Sequence, residues 1–223
     1  MIKHHPQLSL LKTYCAGELP ASISVIIAAH IELCPHCQQQ VEALTAKAAK
    51  DTFTYAYVED EAEQSQFAEI DFASMIDDIT LDDGIDEIKL AQPIELSLNQ
   101  NTFYLPQVLR NLELSSWASL GKLSRSRVTL EDANLHTSLL HIDADGSVPE
   151  HTHNGFEITL LLEGSFKDEM GEYTKGDFIW LDGKHTHNPI TEHGCLCLTV
   201  SSDSLHFTQG LSKLLNPIGK FIY

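Results

Sequence analysis

The sequence predicts a two-domain α + β protein, with a small all-α helical domain followed by an antiparallel β-sandwich or barrel. Three observations predict it. Apolar residues recur at helical spacing through the first fifty residues. From about residue 100 the apolar period changes to two. Between these regions lies a stretch dominated by Asp and Glu. With 223 residues, 43% of them hydrophobic, the chain has enough apolar material to fill such cores.

The first helix is read from Leu8, Leu11 and Cys15, with Leu10 and Tyr14 beside them, and it stops at Gly17. Pro20 and Ser22 open a second helix through "ISVIIAAHIEL", with Ser22 as the expected N-cap. Pro35 suits the first turn of a third helix, because its missing N–H would have no intrahelical partner there. That helix continues through "QQQVEALTAKAAK", which is rich in good helix formers.

Residues 51–90 hold thirteen acidic residues and one lysine, Lys89, a net −12 of the chain's −18. Most such segments are solvated linkers. Within this one, "FAEIDFASMIDDI" places Phe67, Ile70, Met75 and Ile79 near helical spacing, with Phe72 and Ile76 alongside. An acidic tether from about residue 51, carrying a short amphipathic helix near 65–80, is expected. Domains are accordingly expected over 1–85 and 100–223. In the second domain "LHTSLLHI", "FEITLLLEG", "DFIWL" and "CLCLTVS" are short apolar runs, separated by turn signals such as Asp145-Gly146, Lys175-Gly176 and His193-Gly194. Many short strands at this spacing indicate a sandwich or barrel.

Composition narrows the function. No apolar run approaches the roughly 18 residues of a membrane span, and the opening "MIKHHPQLSLLKTYC" has no signal-peptide h-region. Five cysteines, two of them in C-x-x-C, fit metal binding in a reducing cytoplasm better than a disulfide framework. A net charge of −18 supplies no cationic footprint for nucleic acid, and suits a basic protein partner better.

Two constellations carry chemistry. In "HIELCPHC", His30 and Cys34 are one turn apart on a helix, and Cys34 and Cys37 form a C-x-x-C corner on which two thiolates can converge. H-x3-C-x2-C gives three ligands where a structural zinc takes four. His4, His5, His36 and Cys15 are the nearby choices for the fourth, with His36 expected to point away. The bland alternative is a pair of buried thiols beside a helical histidine. A thioredoxin-like redox pair needs a βαβ context that is absent here.

The second constellation is "PEHTHNGFEITLLLEG". His151 and His153 lie on one side of a strand, and Glu157 follows. "KHTHNP" adds His185 and His187, either of which could complete a His3Glu set for a divalent metal. Cys195 and Cys197 share a strand face. They read either as small apolar wall residues or as an oxidisable pair.

The pattern G-x4-H-x-H-x3-E-x6-G from Gly146 to Gly164 resembles the first cupin motif, and "GDFIWLDGKHTHNP" from Gly176 to Pro189 resembles the second, without its usual proline. Together with "IKHHP", "YCAGEL", "AAHIELCPHC" and "CLCLTV", these motifs make nearly the whole chain resemble the ChrR-type zinc anti-sigma factors. The resemblance implies a zinc-stapled helical domain and a cupin barrel. It implies His5, with His4 as second choice, as fourth ligand beside His30, Cys34 and Cys37. It assigns His187 to a second site with His151, His153 and Glu157. Zinc is implied in the first site and a divalent metal in the second: zinc, manganese, iron or nickel. The implied function is not enzymatic. It is 1:1 sequestration of an extracytoplasmic-function-type sigma factor in the cytoplasm, with release on oxidative stress such as singlet oxygen or organic peroxide sensed by the cupin. The rival reading is a metal-dependent, dioxygenase-like cupin enzyme with an appended zinc domain.

Overall fold

The structure, a computed structural model, describes residues 1–55, 71–81, 92–99, 101–132, 134–153, 155–203 and 205–207. Helix α1 (Leu8–Cys15) ends at Gly17, whose φ of 71° lies in the left-handed region that glycine enters without steric cost. Of the expected apolar residues only Leu8 departs, being exposed; Leu11 is buried, and Leu10, Tyr14 and Cys15 are partly buried beside it.

Helix α2 (Ala21–Leu33) follows Pro20. Ser22 is not its N-cap but lies inside the first turn. The amides of Ala21 and Ser22 donate to the carboxylate of Asp132, far along the chain. A carboxylate at a helix N-terminus meets both the orphan N–H groups and the positive end of the dipole, so the cap comes from the β domain. Helix α3 (Pro35–Tyr55) starts at the expected proline. Helix α4 (Phe72–Thr80) is capped by Asp71, which accepts the Ser74 amide at 3.0 Å. The expected helix began near 65, and residues 65–70, with Phe67 and Ile70, lie outside the described residues.

The strands are β1 (Ile94–Leu98), β2 (Asn101–Leu105), β3 (Ala118–Leu120), β4 (Leu123–Val128), β5 (His136–Ile142), β6 (Gly146–Ser147) and β7 (His151–His153), then β8 (Phe156–Asp168), β9 (Gly171–Thr174), β10 (Phe178–Asp182), β11 (Thr186–His187), β12 (Ile190–Thr191), β13 (Cys195–Ser201) and β14 (Leu205–Phe207). The main sheet runs β3-β4-β5-β13-β8-β12-β6, with β9 and β10 also on β8. A second sheet runs β11-β7-β14, and β1 and β2 form a hairpin. Every pairing among the described residues is antiparallel. The expected α + β class and antiparallel barrel are therefore present.

The chain divides into two compact units, Met1–Leu44 with the described residues from Pro93 on, and Thr45–Gln92. In the first unit the strand period separates two cores. Ile142, Leu161, Ile179, Leu181, Cys195 and Cys197 fill the barrel interior. Leu139, Ile158, Leu160, Leu196, Leu198 and Val200 point the other way and pack with Leu11, Ile23, Ile26 and Ile27 of the helices. Strand β13 is buried along its whole length because both its faces are covered. This is why "CLCLTVS" reads as a continuous apolar run rather than an alternating one.

Candidate metal centres

The α2–α3 corner builds the first centre. His30 lies in the last turn of α2, Cys34 breaks the helix with extended backbone at φ −119°, and Cys37 lies in the first turn of α3. His5 comes from the extended segment before α1. His30 Nε2 is 3.3 Å from the Cys37 sulfur, and His5 Nδ1 is 3.4 Å from Cys34 and 3.5 Å from Cys37. The four donor atoms lie within 4.8 Å of one another. His30, Cys34 and Cys37 are buried, and His5 is the least covered of the four.

Burial pulls the His30 imidazole down to about 4, against the opposing hydrogen bond to Gly176, so the ring is neutral and its lone pair is available. Burial also pushes the Cys37 thiol up to about 12, with Cys34 beside it adding to the shift. Two thiolates cannot both be charged here without a cation at their centre, and a bound metal inverts this balance. Two sulfurs and two imidazole nitrogens converging in a buried corner can hold a metal ion. The other nearby donors are elsewhere. His36 is exposed, with Nε2 3.0 Å from Gln40. Cys15 directs its sulfur at the Val41 carbonyl. The His4 ring packs on Tyr173 at 4.9 Å.

The second centre lies at the edge of the barrel. His151 and His153 are alternate residues of β7, Glu157 is the second residue of β8, and His187 ends β11, where it pairs directly with His151. His153 Nε2 is 3.2 Å from both His187 Nε2 and Glu157 Oε2. His151 gives Nδ1 to the Pro149 carbonyl at 2.8 Å, which leaves Nε2 for the cluster. All four residues are buried, and their donor atoms again lie within 4.8 Å. Burial, reinforced by the His187 ring, takes His151 down to about 3 against the Pro149 hydrogen bond. Burial also lowers His153, opposed by Glu157. Neutral imidazoles and one carboxylate are a donor set for a divalent ion with coordination positions to spare. His185 stands outside, exposed and bonded to Asp182 at 2.7 Å. Cys195 and Cys197 are buried in the barrel wall, where the Cys195 hydrogen bond and burial hold the Cys197 thiol well above its ordinary range.

Two aspartates that sequence reasoning passed over orient these centres. The Asp168 side chain is buried beside His187, with Oδ2 3.2 Å from Nδ1. Burial favours its neutral form, but the bonds from His187 and the Met170 and Gly171 amides hold it below the usual carboxylate range. Asp177 is fully buried and accepts the amides of Lys3 at 2.7 Å, His4 at 2.9 Å and Thr174 at 2.8 Å. The available signal was an acid heading an otherwise apolar strand in "GDFIWL". Such a residue is buried only when several donors satisfy it.

An antiparallel barrel carrying three histidines and a glutamate, with a His2Cys2 corner packed against it, is a cupin-like fold with two candidate metal centres. Residues 107–204 match the family model of the ChrR Cupin-like domain. The chain is 29% identical to the anti-sigma-E factor ChrR of Cereibacter sphaeroides over 219 residues, 97% of each. Its fold matches the crystal structure of Rhodobacter sphaeroides SigE in complex with the anti-sigma ChrR, with a TM-score of 0.67 and 28% identity over 90% of this chain and 100% of the matched one. The chain is thus similar to ChrR along nearly its whole length.

Proposed function

We propose that this chain is an anti-sigma factor that sequesters an extracytoplasmic-function-type sigma factor in a 1:1 complex in the cytoplasm. The observation that carries this is the match, over nearly the entire chain, to a protein solved in complex with its sigma factor. Helix α4 supports it. Phe72, Met75, Ile76 and Ile79 are all more than half exposed, and Asp71, Asp77 and Asp78 sit among them. An apolar helix face rimmed by carboxylates suits a partner with apolar pockets and basic edges. The sigma-binding part is assigned to residues 1–85 and the cupin to residues from 100.

His5, His30, Cys34 and Cys37 are assigned as ligands of a structural zinc. Tetrahedral zinc, with Zn–S of about 2.3 Å and Zn–N of about 2.0 Å, has N···S edges of about 3.5 Å, and the separations here are 3.3, 3.4 and 3.5 Å. With four protein ligands this ion adds folding energy rather than chemistry. His151, His153, Glu157 and His187 are assigned to a second divalent ion, zinc, manganese, iron or nickel, with open positions where a small oxidant can bind. Singlet oxygen or an organic peroxide is the proposed signal, and the cupin its sensor, on the strength of the resemblance to ChrR-type factors.

Co-expression with a sigma factor encoded beside this gene, followed by co-purification and metal counting, tests the proposal. A 1:1 complex with two metals per chain of this protein is expected. Absence of a complex with any sigma factor of this type would overturn it. Turnover of a small oxidisable substrate by the metal-loaded chain would favour a dioxygenase-like cupin instead, since the second donor set also suits catalysis.

A further inference from the structure

Two of the four donors in the first centre are placed by the barrel. His30 donates Nδ1–H to the Gly176 carbonyl at 2.9 Å, which fixes the ring and turns Nε2 toward Cys37. His5 follows directly on a residue whose amide and carbonyl are both tied down. The His4 amide goes to Asp177, and its carbonyl accepts from Phe178 at 3.0 Å. The turn that does this is itself riveted to β8, with Gly176 N donating to Leu161 O at 2.8 Å and Leu161 N donating to Asp177 O at 3.1 Å. It approaches the N-terminal segment so closely that a Cβ on Gly176 would lie 2.4 Å from the Ile2 side chain.

The same hairpin reaches the second centre at its other end. Strand β9 pairs with β8 from Asp168–Gly171 to Ser165–Thr174. At the Asp168 end, one carboxylate closes the turn by accepting Met170 and Gly171 amides at 2.9 and 3.1 Å, and also holds His187. At the Thr174 end, Asp177 accepts the Thr174 amide with one oxygen and the Lys3 and His4 amides with the other. Between the two ends, the Tyr173 ring lies on the His4 ring.

We propose that the β8–β9 hairpin, running from Asp168 to Asp177, couples the two centres, so that a metal at the cupin centre slows loss of the metal at the helical centre. Asp168 and Asp177 are its positioning residues. The inference rests on both centres holding metal and is independent of the sigma partner. A cation at the cupin centre fixes His187, His187 fixes Asp168 and the hairpin turn, and the ordered hairpin presents Gly176 and Asp177 to the segments bearing His30 and His5. Such coupling is a free energy shared between sites and is reciprocal.

Cobalt(II) tests this, because only the helical centre has thiolates and therefore only that centre gives a thiolate-to-cobalt charge-transfer band. The rate at which a chelator bleaches that band is compared in four full-length chains: unmodified, Glu157→Ala, Asp177→Asn and the double variant. Glu157→Ala removes the one anionic donor of the cupin centre, and once metal counting shows that this variant has lost the second cobalt, it should speed bleaching by roughly fivefold or more. In the Asp177→Asn background bleaching should be fast, with or without Glu157. Equal rates in the first two chains, or a difference that survives Asp177→Asn, would overturn the link. If circular dichroism shows that Asp177→Asn does not fold, amide exchange at Lys3 and His4 decides, compared between the cobalt-loaded unmodified chain and Glu157→Ala. Faster exchange in the variant is expected, and equal exchange overturns the link. A chain that takes up two cobalt ions without coupling removes the hairpin's role alone, whereas failure to take up two removes the metal assignments as well.

Discussion

The His30 imidazole donates to the Gly176 carbonyl across 2.9 Å, joining residues 146 positions apart in the sequence. A helical residue read as a metal ligand is thereby oriented by the backbone of a barrel turn. Hydrogen bonding the far nitrogen of a ligand ring fixes its tautomer and aims its lone pair.

That ring gives the metal-free protein a defined pH dependence. His30 falls from an ordinary 6.5 to about 4 and His151 from 6.5 to about 3, in both cases chiefly through burial. The folded state therefore holds these rings neutral while the unfolded chain takes up protons. Their stabilisation is fully present above pH 6.5, shrinks as pH falls below that value, and is gone once pH drops through the folded values. For His30 the total is about 3 kcal/mol. Urea titrations of the metal-free chain should show stability level between pH 7.5 and 6.5 and decreasing from there to pH 4, and His30→Gln should flatten that slope. A slope unchanged by that substitution would contradict the assignment.

Asp168→Ala should weaken metal binding at His151, His153, Glu157 and His187 by about 10–100-fold, the usual cost of losing the group that orients a ligand ring. Competition with a chromophoric chelator measures this. Full affinity in the variant would mean that packing alone positions His187.

Much of this was legible in the sequence because it is local. H-x3-C-x2-C fixes three donors within one helix corner, and H-x-H followed by Glu places three donors on adjoining strand ends, since both follow from the periods of helix and strand. The turn signals and two-residue period likewise located β5, β8, β10 and β13. What stayed hidden depends on chain closure. Asp132 takes the capping role expected of Ser22, across 110 residues. Asp168 and Asp177 are carboxylates whose burial can be known only once their donors arrive from elsewhere. The packing of Ile26 and Ile27 against Leu198 and Val200 was invisible for the same reason. Each of those apolar faces reads equally well as the core of a separate domain.

That shared core makes a prediction of its own. Leu198 is fully buried beneath the helices, and Leu198→Ala should cost about 2–5 kcal/mol. Because Leu11, Ile26 and Ile27 pack in the same cluster, helix and barrel should melt together. Loss of far-ultraviolet helical signal and of fluorescence from Trp117 and Trp180 should coincide in the variant and the parent. Two separated transitions would show that Met1–Leu44 folds without the barrel.

Helix α4 should separate binding from stability. Ile76 is 58% exposed and Phe72 52%, so replacing either by alanine removes little buried surface and should change unfolding free energy by no more than about 0.5 kcal/mol. If this face enters the sigma factor, the same substitutions create a gap in a buried interface, where an apolar anchor is worth about 1 kcal/mol or more. Ile76→Ala and Phe72→Ala should each weaken the complex several-fold. Ile76→Asp should weaken it further, because a carboxylate would be desolvated without a partner. Isothermal titration with the co-expressed sigma factor measures the loss, and thermal melts of the free variants control for folding. Parent-like affinity in Ile76→Asp would remove α4 from the interface and leave sigma binding to the helices around His30 and Cys37.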